Sequence, residues 1–240
     1  MRIAVVADVH ANLEAFQAVL AHAGDVDEVW SLGDIVGYGS DPSACISLLH
    51  TYPQVSIAGN HDYAATGVIG TEDFNPYAAE AARWTATQLS LEDQLWLSNL
   101  SAVHIEGEFT LAHGSLNDPI WEYLVSPDRA RTHLEHQGTP YCLVGHSHLP
   151  HVYTDGQTRL LESKPGDGEE IELGSRRVII NPGSVGQPRD GDPRAAYCLL
   201  DTNQKHVTFH RVAYDFEMTQ AKMRSIGLPE YLAQRLQEGH

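Results

Sequence analysis

The sequence predicts an α/β fold that mixes parallel and antiparallel strands, and three observations carry that prediction. Before Asp62, short apolar runs rich in β-branched residues alternate with helical runs, which argues for parallel strands with helices packed on them. Beyond His148, strand-like runs follow one another between Gly, Asp and Asn, which argues for antiparallel strands. Several of the strands also end in polar residues able to hold a metal ion. Those ends are where ligands bind in open α/β sheets.

Taken in order, Arg2–Ala7 reads as a buried strand ending at Asp8-Val9-His10. Asn12–Ala23 places Leu13, Phe16, Val19 and Leu20 on one helical face, and Gly24 stops it. Val26–Leu32 is a second strand, ending at Gly33-Asp34, and Gly37-Tyr38-Gly39 makes a loop. Asp41-Pro42 caps a helix to about His50, with proline in its first turn. Val55–Ala58 is the third strand, and its polar exit is expected to be a loop.

Gly67–Asn75 reads as a loop, Pro76–Leu89 as a helix, and Leu91–Leu97 as a short helix with Ser90 as its cap. Phe109–Ala112 is a strand ending at His113-Gly114. A helix starts at Ser126-Pro127-Asp128, runs to His136 and ends at Gly138. Tyr141–Val144 is a strand ending at Gly145-His146-Ser147-His148. The later strands are Val152–Thr154, Thr158–Leu161, Arg177–Ile180, Ala195–Leu200 and His206–Val212, with Asp155-Gly156 as a hairpin turn. Pro165–Glu170 is expected to be a mobile loop tip. Asp215–Ser225 is a helix stopped by Gly227, and a short helical tail starts at Pro229. No repeat and no linker interrupts the chain, which predicts one domain, 1–240.

A chain of 240 residues, 42% of them hydrophobic, can bury a full core. It carries 32 acidic against 15 basic residues, a net charge of −17. Such a charge repels long polyanions, so a nucleic-acid-wrapping role is not expected without a local cationic site, which bound divalent ions could make. Cys45, Cys142 and Cys198 lack metal-binding spacing and cannot all pair, so they read as reduced, mostly buried thiols of a cytoplasmic protein. Asp8 interrupts the apolar run Ile3–Ala7, so the amino terminus does not read as a signal peptide, and no segment has the length of a membrane span.

The stretch Gly59-Asn60-His61-Asp62 is poorly suited to packing. Asn is unfavourable in strands and Gly lets the chain turn sharply. An Asn oxygen can ligate a metal, and the next His can reach past it towards a substrate. Asp8 and His10, Asp34, Asn60, His113, then His146 and His148 stand at five successive strand ends. Each has an ordinary use by itself: Asp8 and Asp34 as helix caps, His113 as a loop residue, the Asn and Asp as turn formers. Their joint recurrence points to metals. Carboxylates, imidazoles and one amide suit Mn, Fe, Zn or Ni, with manganese placed first. The set is too large for one ion and enough for two, and Asp34, alone in its loop, is the natural bridge. Two ions about 3.5–4 Å apart can activate a shared hydroxide and stabilise attacking and leaving oxygens of a phosphoester. His133 and His136 read as a solvated helix face, and His22, His50, His104, His151, His206, His210 and His240 as surface or packing residues.

The ordered set Asp8-Val9-His10, Gly33-Asp34-Ile35-Val36, Gly59-Asn60-His61-Asp62, His113 and Gly145-His146-Ser147-His148 resembles the calcineurin-like metallophosphoesterase superfamily. Asn181-Pro182-Gly183-Ser184-Val185-Gly186 and Gln187-Pro188-Arg189-Asp190-Gly191 look like its small bacterial phosphodiesterase-like branch. The resemblance implies a two-sheet β-sandwich flanked by helices, with two divalent metals along one edge. It implies Asp8, His10, Asp34 and His148 on one metal and Asp34, Asn60, His113 and His146 on the other. It also implies that His61 faces the substrate phosphate as a catalytic residue, with Asp62 orienting it.

The expected function is hydrolysis of a phosphoester by in-line attack of a metal-bridging hydroxide. Phosphodiesters or nucleotides come first as substrates, and phosphomonoesters or phosphoproteins second. Asn12, Tyr38 and Arg189 are candidate substrate contacts, with a helix cap, loop packing and a surface charge as their ordinary alternatives. The rival of another class is a metal-binding scaffold without catalysis, and the presence of His61 with every ligand favours the enzyme.

Overall fold

The computed structural model describes residues 1–156 and 159–240. In chain order the first elements are β1 (Arg2–Val6), α1 (Leu13–Ala23), β2 (Glu28–Ser31), α2 (Pro42–Leu49), β3 (Gln54–Ser56), α3 (Asn60–Thr66), α4 (Pro76–Gln88) and α5 (Leu91–Ser98). Then come β4 (Val103–Glu106), β5 (Phe109–Ala112), α6 (Pro127–His136), β6 (Tyr141–Val144), β7 (Pro150–Thr154), β8 (Leu161–Ser163) and β9 (Glu170–Glu172). The chain closes with β10 (Val178–Pro182), β11 (Ala195–Asp201), β12 (His206–Val212), α7 (Phe216–Ser225) and α8 (Glu230–Glu238).

These strands form two six-stranded sheets, ordered β3-β2-β1-β11-β12-β9 and β4-β5-β6-β10-β7-β8. Both sheets are mixed, and helices flank them, so the expected α/β sandwich is the fold of the chain. The amino-terminal units are parallel: β1 pairs with β2 and β2 with β3. A parallel connection needs a crossover, and α1 and α2 supply two of them. In the second sheet β6 runs parallel to both β5 and β10, so the carboxyl-terminal half is less uniformly antiparallel than its pattern suggests.

The inner faces of the sheets meet over Ile3, Val5, Trp30, Leu111, Leu143 and Ile180, all buried. Alternate residues of the same strands, Ala4 and Val6, point the other way onto Phe16, Val19 and Leu20 of α1. That is why the β1 sequence is apolar throughout: both of its faces are covered.

Local chemistry sets the helix starts. Asn12, Asn75, Ser90, Ser126 and Asp215 each accept a backbone N–H from the first turn of the helix they precede. Asp41 precedes α2 without a side-chain cap bond, and Pro42 at the first position preorganises that helix instead.

Several expectations need correction. The exit from β3 is not a loop: Asn60, His61 and Asp62 form the first turn of α3. Strand β4, a mostly exposed edge paired to β5, was not legible, because Val103–Glu106 has no buried face to impose alternation. The Pro165–Glu170 tip is tied to β12 where Gly168 N–H donates to the Phe209 carbonyl, and it leads into edge strand β9. Of the expected strand Thr158–Leu161, Thr158 lies outside the described residues, and the strand begins at Leu161. His133 is fully buried rather than solvated, and its Nδ1 accepts the Leu116 N–H at 3.1 Å. The three cysteines are buried and unpaired. Among the described residues, no helix is long and apolar enough to cross a membrane.

Candidate metal centre

The carboxyl ends of β1, β2 and β3 in one sheet, and of β5 and β6 in the other, open onto one edge of the sandwich. Asp8, Asp34, Asn60, His113 and His146 follow those strand ends closely, and all of them are buried together with His10 and His148. Three groupings of this set are compact enough to hold an ion: Asp8–His10–His148, Asp34–His113–His146, and His10–Asp34–His61.

The turns that carry them are strained in a common way. Asp8, His10, Asp34, His146 and His148 all have positive φ, between 50° and 65°. Left-handed backbone costs roughly 1–2 kcal/mol per non-glycine residue. It persists here because the turns brace one another. Asp8 N–H donates to the Gly33 carbonyl, His10 N–H to the Asp34 carbonyl, and His146 N–H to the Asp8 carboxylate at 3.1 Å. Close approach adds a second constraint: a Cβ on Gly59 would lie 2.1 Å from Asp34 Oδ1.

Hydrogen bonds fix the histidine tautomers. A carbonyl oxygen only accepts, so Nδ1–H of His10 donates to Val36, that of His113 to Leu32 and that of His148 to Gln187, at 3.2, 2.8 and 2.6 Å. Each therefore turns Nε2 inward, as a bare lone pair whenever the ring is neutral. His146 is reversed: its Nε2–H donates to the Trp121 carbonyl at 3.2 Å, leaving Nδ1 as the lone pair.

The inward lone pairs face one another. His10 Nε2 lies 3.1 Å from His148 Nε2. His113 Nε2 lies 3.2 Å from Asn60 Oδ1 and 3.3 Å from Asp34 Oδ2. His148 Nε2 is 3.4 Å from Asp8 Oδ1. With their protons removed these groups are acceptors converging in a buried site, which repel unless a cation, a proton or a metal ion, stands among them, so the donor set fits divalent metals.

The electrostatics of the protein alone show the same demand. Burial pushes the Asp8 carboxyl up to about 8. Burial pulls His113 down, but the charge and hydrogen bond of Asp34, the Asp8 charge and the Leu32 carbonyl together outweigh it and raise the imidazole to about 9. Asp34 mirrors this: burial pushes it up, while His113 and His61 hold it well below the carboxylate range. Burial keeps His10 and His148 far below their usual range and pulls His146 down to about 3. Three imidazoles are thus held neutral, the form that could ligate a metal, and the fourth carries the positive charge that a metal would supply.

His61 stands beside this set and lines a cavity of about 120 Å³ in front of it. Burial lowers it to about 4, and its Nδ1 has no hydrogen-bond partner. Gly37, at φ 90°, leaves room for its ring: a Cβ there would lie 2.5 Å from His61 Nδ1. Among the described residues Asp62 makes no hydrogen bond to that ring. Its two oxygens accept the Val36 and Gly59 N–H groups at 3.1 and 3.0 Å, so it ties the β2 loop to the start of α3. The His61 ring is instead held by Tyr38, His10 and Phe74, with ring centroids 4.3, 4.9 and 4.9 Å away.

Of the three expected substrate contacts, Tyr38 and Arg189 line the cavity, and the Arg189 guanidinium sits 5.9 Å from the Tyr38 ring centroid. Gln187 positions that guanidinium by accepting from its Nε and Nη2. Asn12 is not at this cavity. Its oxygen caps α1, and its Nδ2 donates to the Gly186 carbonyl and the Tyr214 hydroxyl. Phe74, Trp121 and Tyr123 also line the cavity, and nothing in their local sequence marks them out.

An α/β sandwich with clustered Asp and His at one edge defines a class, and the comparisons agree: the chain belongs to the calcineurin-like phosphoesterase superfamily, whose domain matches residues 1–205. That family is metal-dependent and acts on phosphate esters, and the clustered residues here could bind metals. The chain is 36% identical to an uncharacterized protein of Methanocaldococcus jannaschii, over 98% of this chain and 96% of that one. It superposes on the crystal structure of a metallophosphoesterase from Sphaerobacter thermophilus with a TM-score of 0.92 and 46% identity, covering 100% and 99% of the two chains. A symmetrical bis(5'-nucleosyl)-tetraphosphatase of Glaesserella parasuis is 29% identical over 49% of this chain and 46% of its own.

Proposed function

We propose that the chain, acting as one domain over 1–240, is a cytoplasmic phosphoesterase with a dinuclear metal centre. The observation that carries this reading is the convergence of bare, buried acceptors, above all His10 Nε2 and His148 Nε2 at 3.1 Å. Asp8, His10, Asp34 and His148 would hold one ion, and Asp34, Asn60, His113 and His146 the other. Asp34 would bridge them, since its Oδ2 lies 3.7 Å from His10 Nε2 on one side and 3.3 Å from His113 Nε2 on the other. When bound, two divalent ions, manganese first, lower the pKa of water and neutralise phosphoryl oxygens.

The chain's own residues do the rest. The carbonyls of Val36, Leu32, Gln187 and Trp121 orient the four imidazoles. Arg189 and the neutral His61 face the cavity, where each can donate a hydrogen bond to a phosphate oxygen. His61 is also the group placed to protonate a leaving oxygen, once the negative charge of a bound phosphate draws a proton onto its ring.

Phosphodiesters and nucleotides are the proposed substrates. Aromatic rings beside the cavity and likeness to a nucleoside-tetraphosphatase over half the chain support that class. Metal analysis of the purified protein, followed by a panel of mono-, di- and cyclic phosphoesters with each added metal, tests the reading. Two ions per chain and preferential diester or nucleotide turnover are expected. Asp34→Asn should weaken both ions and abolish turnover, and a variant that keeps both would remove the bridge.

A further inference from the structure

The reaction-centre cavity does not end at its aromatic rim. A second cavity of about 370 Å³ adjoins it, and the two share Tyr38, Tyr123 and Arg189 in their walls. Tyr77, Tyr231 and Arg235 complete the outer one. Tyr231 and Arg235 lie on α8, beyond residue 205 where the superfamily domain match stops. The other face of α8 is anchored by Leu232 and Leu236, which pack with Leu228 and Met223 against Tyr38, Ala78 and Ala81. The helix therefore presents Tyr231 and Arg235 from a fixed support.

Two features of this outer cavity point to a ligand. Arg189 and Arg235 both face it, and neither is ion-paired with an Asp or Glu among the described residues, although the chain carries a net charge of −17. Arg189 donates to Gln187, and Arg235 donates to the His240 main-chain oxygen and lies 5.4 Å from the Tyr231 ring centroid. Burial and the neighbouring Arg189 charge both lower the Arg235 pKa, the situation an anion between them would relieve. The second feature is aromatic: Tyr77, Tyr123 and Tyr231 are 46, 41 and 49% exposed, and the rings of Tyr77 and Tyr231 lie 5.1 Å apart. Exposed rings gathered at a cavity offer stacking faces to a flat ligand.

We infer that this outer cavity binds a second phosphate of the substrate through Arg189 and Arg235, and its base against the tyrosines, so that the substrate class is a nucleoside polyphosphate. This rests on the phosphoesterase reading, which places the first phosphate at the metal centre.

Calorimetric titration of the metal-loaded full chain with ADP, adenosine and inorganic pyrophosphate tests it. Arg235→Gln removes the charge and keeps a polar side chain. It should weaken ADP and pyrophosphate by about 10-fold while adenosine, with no phosphate, stays within about twofold. Tyr231→Ala should weaken ADP and adenosine several-fold and leave pyrophosphate unchanged. Circular dichroism melting checks both variants for folding, and either one suffices to decide. Losses spread evenly over the three ligands, or no loss for ADP, would overturn the subsite. A wild-type protein that hydrolyses no ester with any metal would overturn the phosphoesterase reading separately, and the titrations would still decide the subsite.

Discussion

At the scale of single residues, the site is built from side chains denied their usual solvation. His61 is the clearest case: buried, neutral and without a partner on Nδ1, yet lining the cavity. Its removal separates catalysis from metal binding. His61→Ala should keep two ions by metal analysis and lose roughly 10²–10⁴ in turnover. The loss should shrink for nitrophenyl esters, whose leaving group needs no proton. Loss of an ion instead would make His61 a ligand, as its grouping with His10 and Asp34 permits. Asp62 leads to a different expectation. Because it accepts two backbone N–H groups and does not bond to His61, Asp62→Asn should act first on stability. An amide puts a donor against one of those N–H groups, costing about 1–3 kcal/mol in a denaturant melt. A purely kinetic defect with an unchanged melt would restore the orienting role.

At the scale of elements, α3 and α6 show how context overrides local pattern. Gly59-Asn60-His61-Asp62 has turn chemistry, yet Asp62 back-bonds to Gly59 N–H and starts a helix there. Helix α6 carries His133 inward, where its Nδ1 accepts from Leu116 and burial lowers it to about 4. That shift predicts a pH dependence. Below about 6.5 the unfolded chain gains a proton at this His, while the folded chain resists until about 4. The stability is therefore full above 6.5 and falls as pH drops towards 4, by about 3 kcal/mol from this group. His133→Asn keeps an acceptor for Leu116 N–H and cannot titrate, so its urea midpoint should vary less between pH 7 and 4.5. An identical pH slope in the two proteins would exclude His133 as a source of the acid sensitivity.

At the scale of the whole molecule, two sheets meet so that five strand ends share one edge, and strained turns are held there by mutual hydrogen bonds. Acceptors gathered at the centre of that edge would be relieved of their mutual repulsion by bound cations. A ligand that binds only the native state stabilises it by about 2.7 kcal/mol at one hundred times its Kd. Chelation should accordingly lower Tm by several degrees, and readdition of manganese should restore it. An unchanged Tm after verified metal removal would show that the turns hold themselves.

Much of this was legible beforehand. Apolar runs closed by Asp or His announced β1, β2, β5 and β6 and the residues that follow them, because burial on both faces leaves a continuous apolar signature. The cap at Ser90 and the helix start at Ser126 were legible for a different reason: their chemistry is local. Edge strands β4 and β9 were not, since a strand exposed on its edge owes its pairing to a neighbour distant in sequence. Nor could the sequence assign Asp62 to the Val36 amide or His133 to the interior, because each choice depends on which distant groups arrive beside it. The rim of Phe74, Trp121 and Tyr123, and the approach of Arg235 from the last helix to Arg189, exist only after the chain closes. By itself the sequence determined which residues could bind metal, through residue type and position at strand ends. Tertiary structure alone decided which lone pairs face one another and what lies in front of them, because distance and burial are properties of the folded chain.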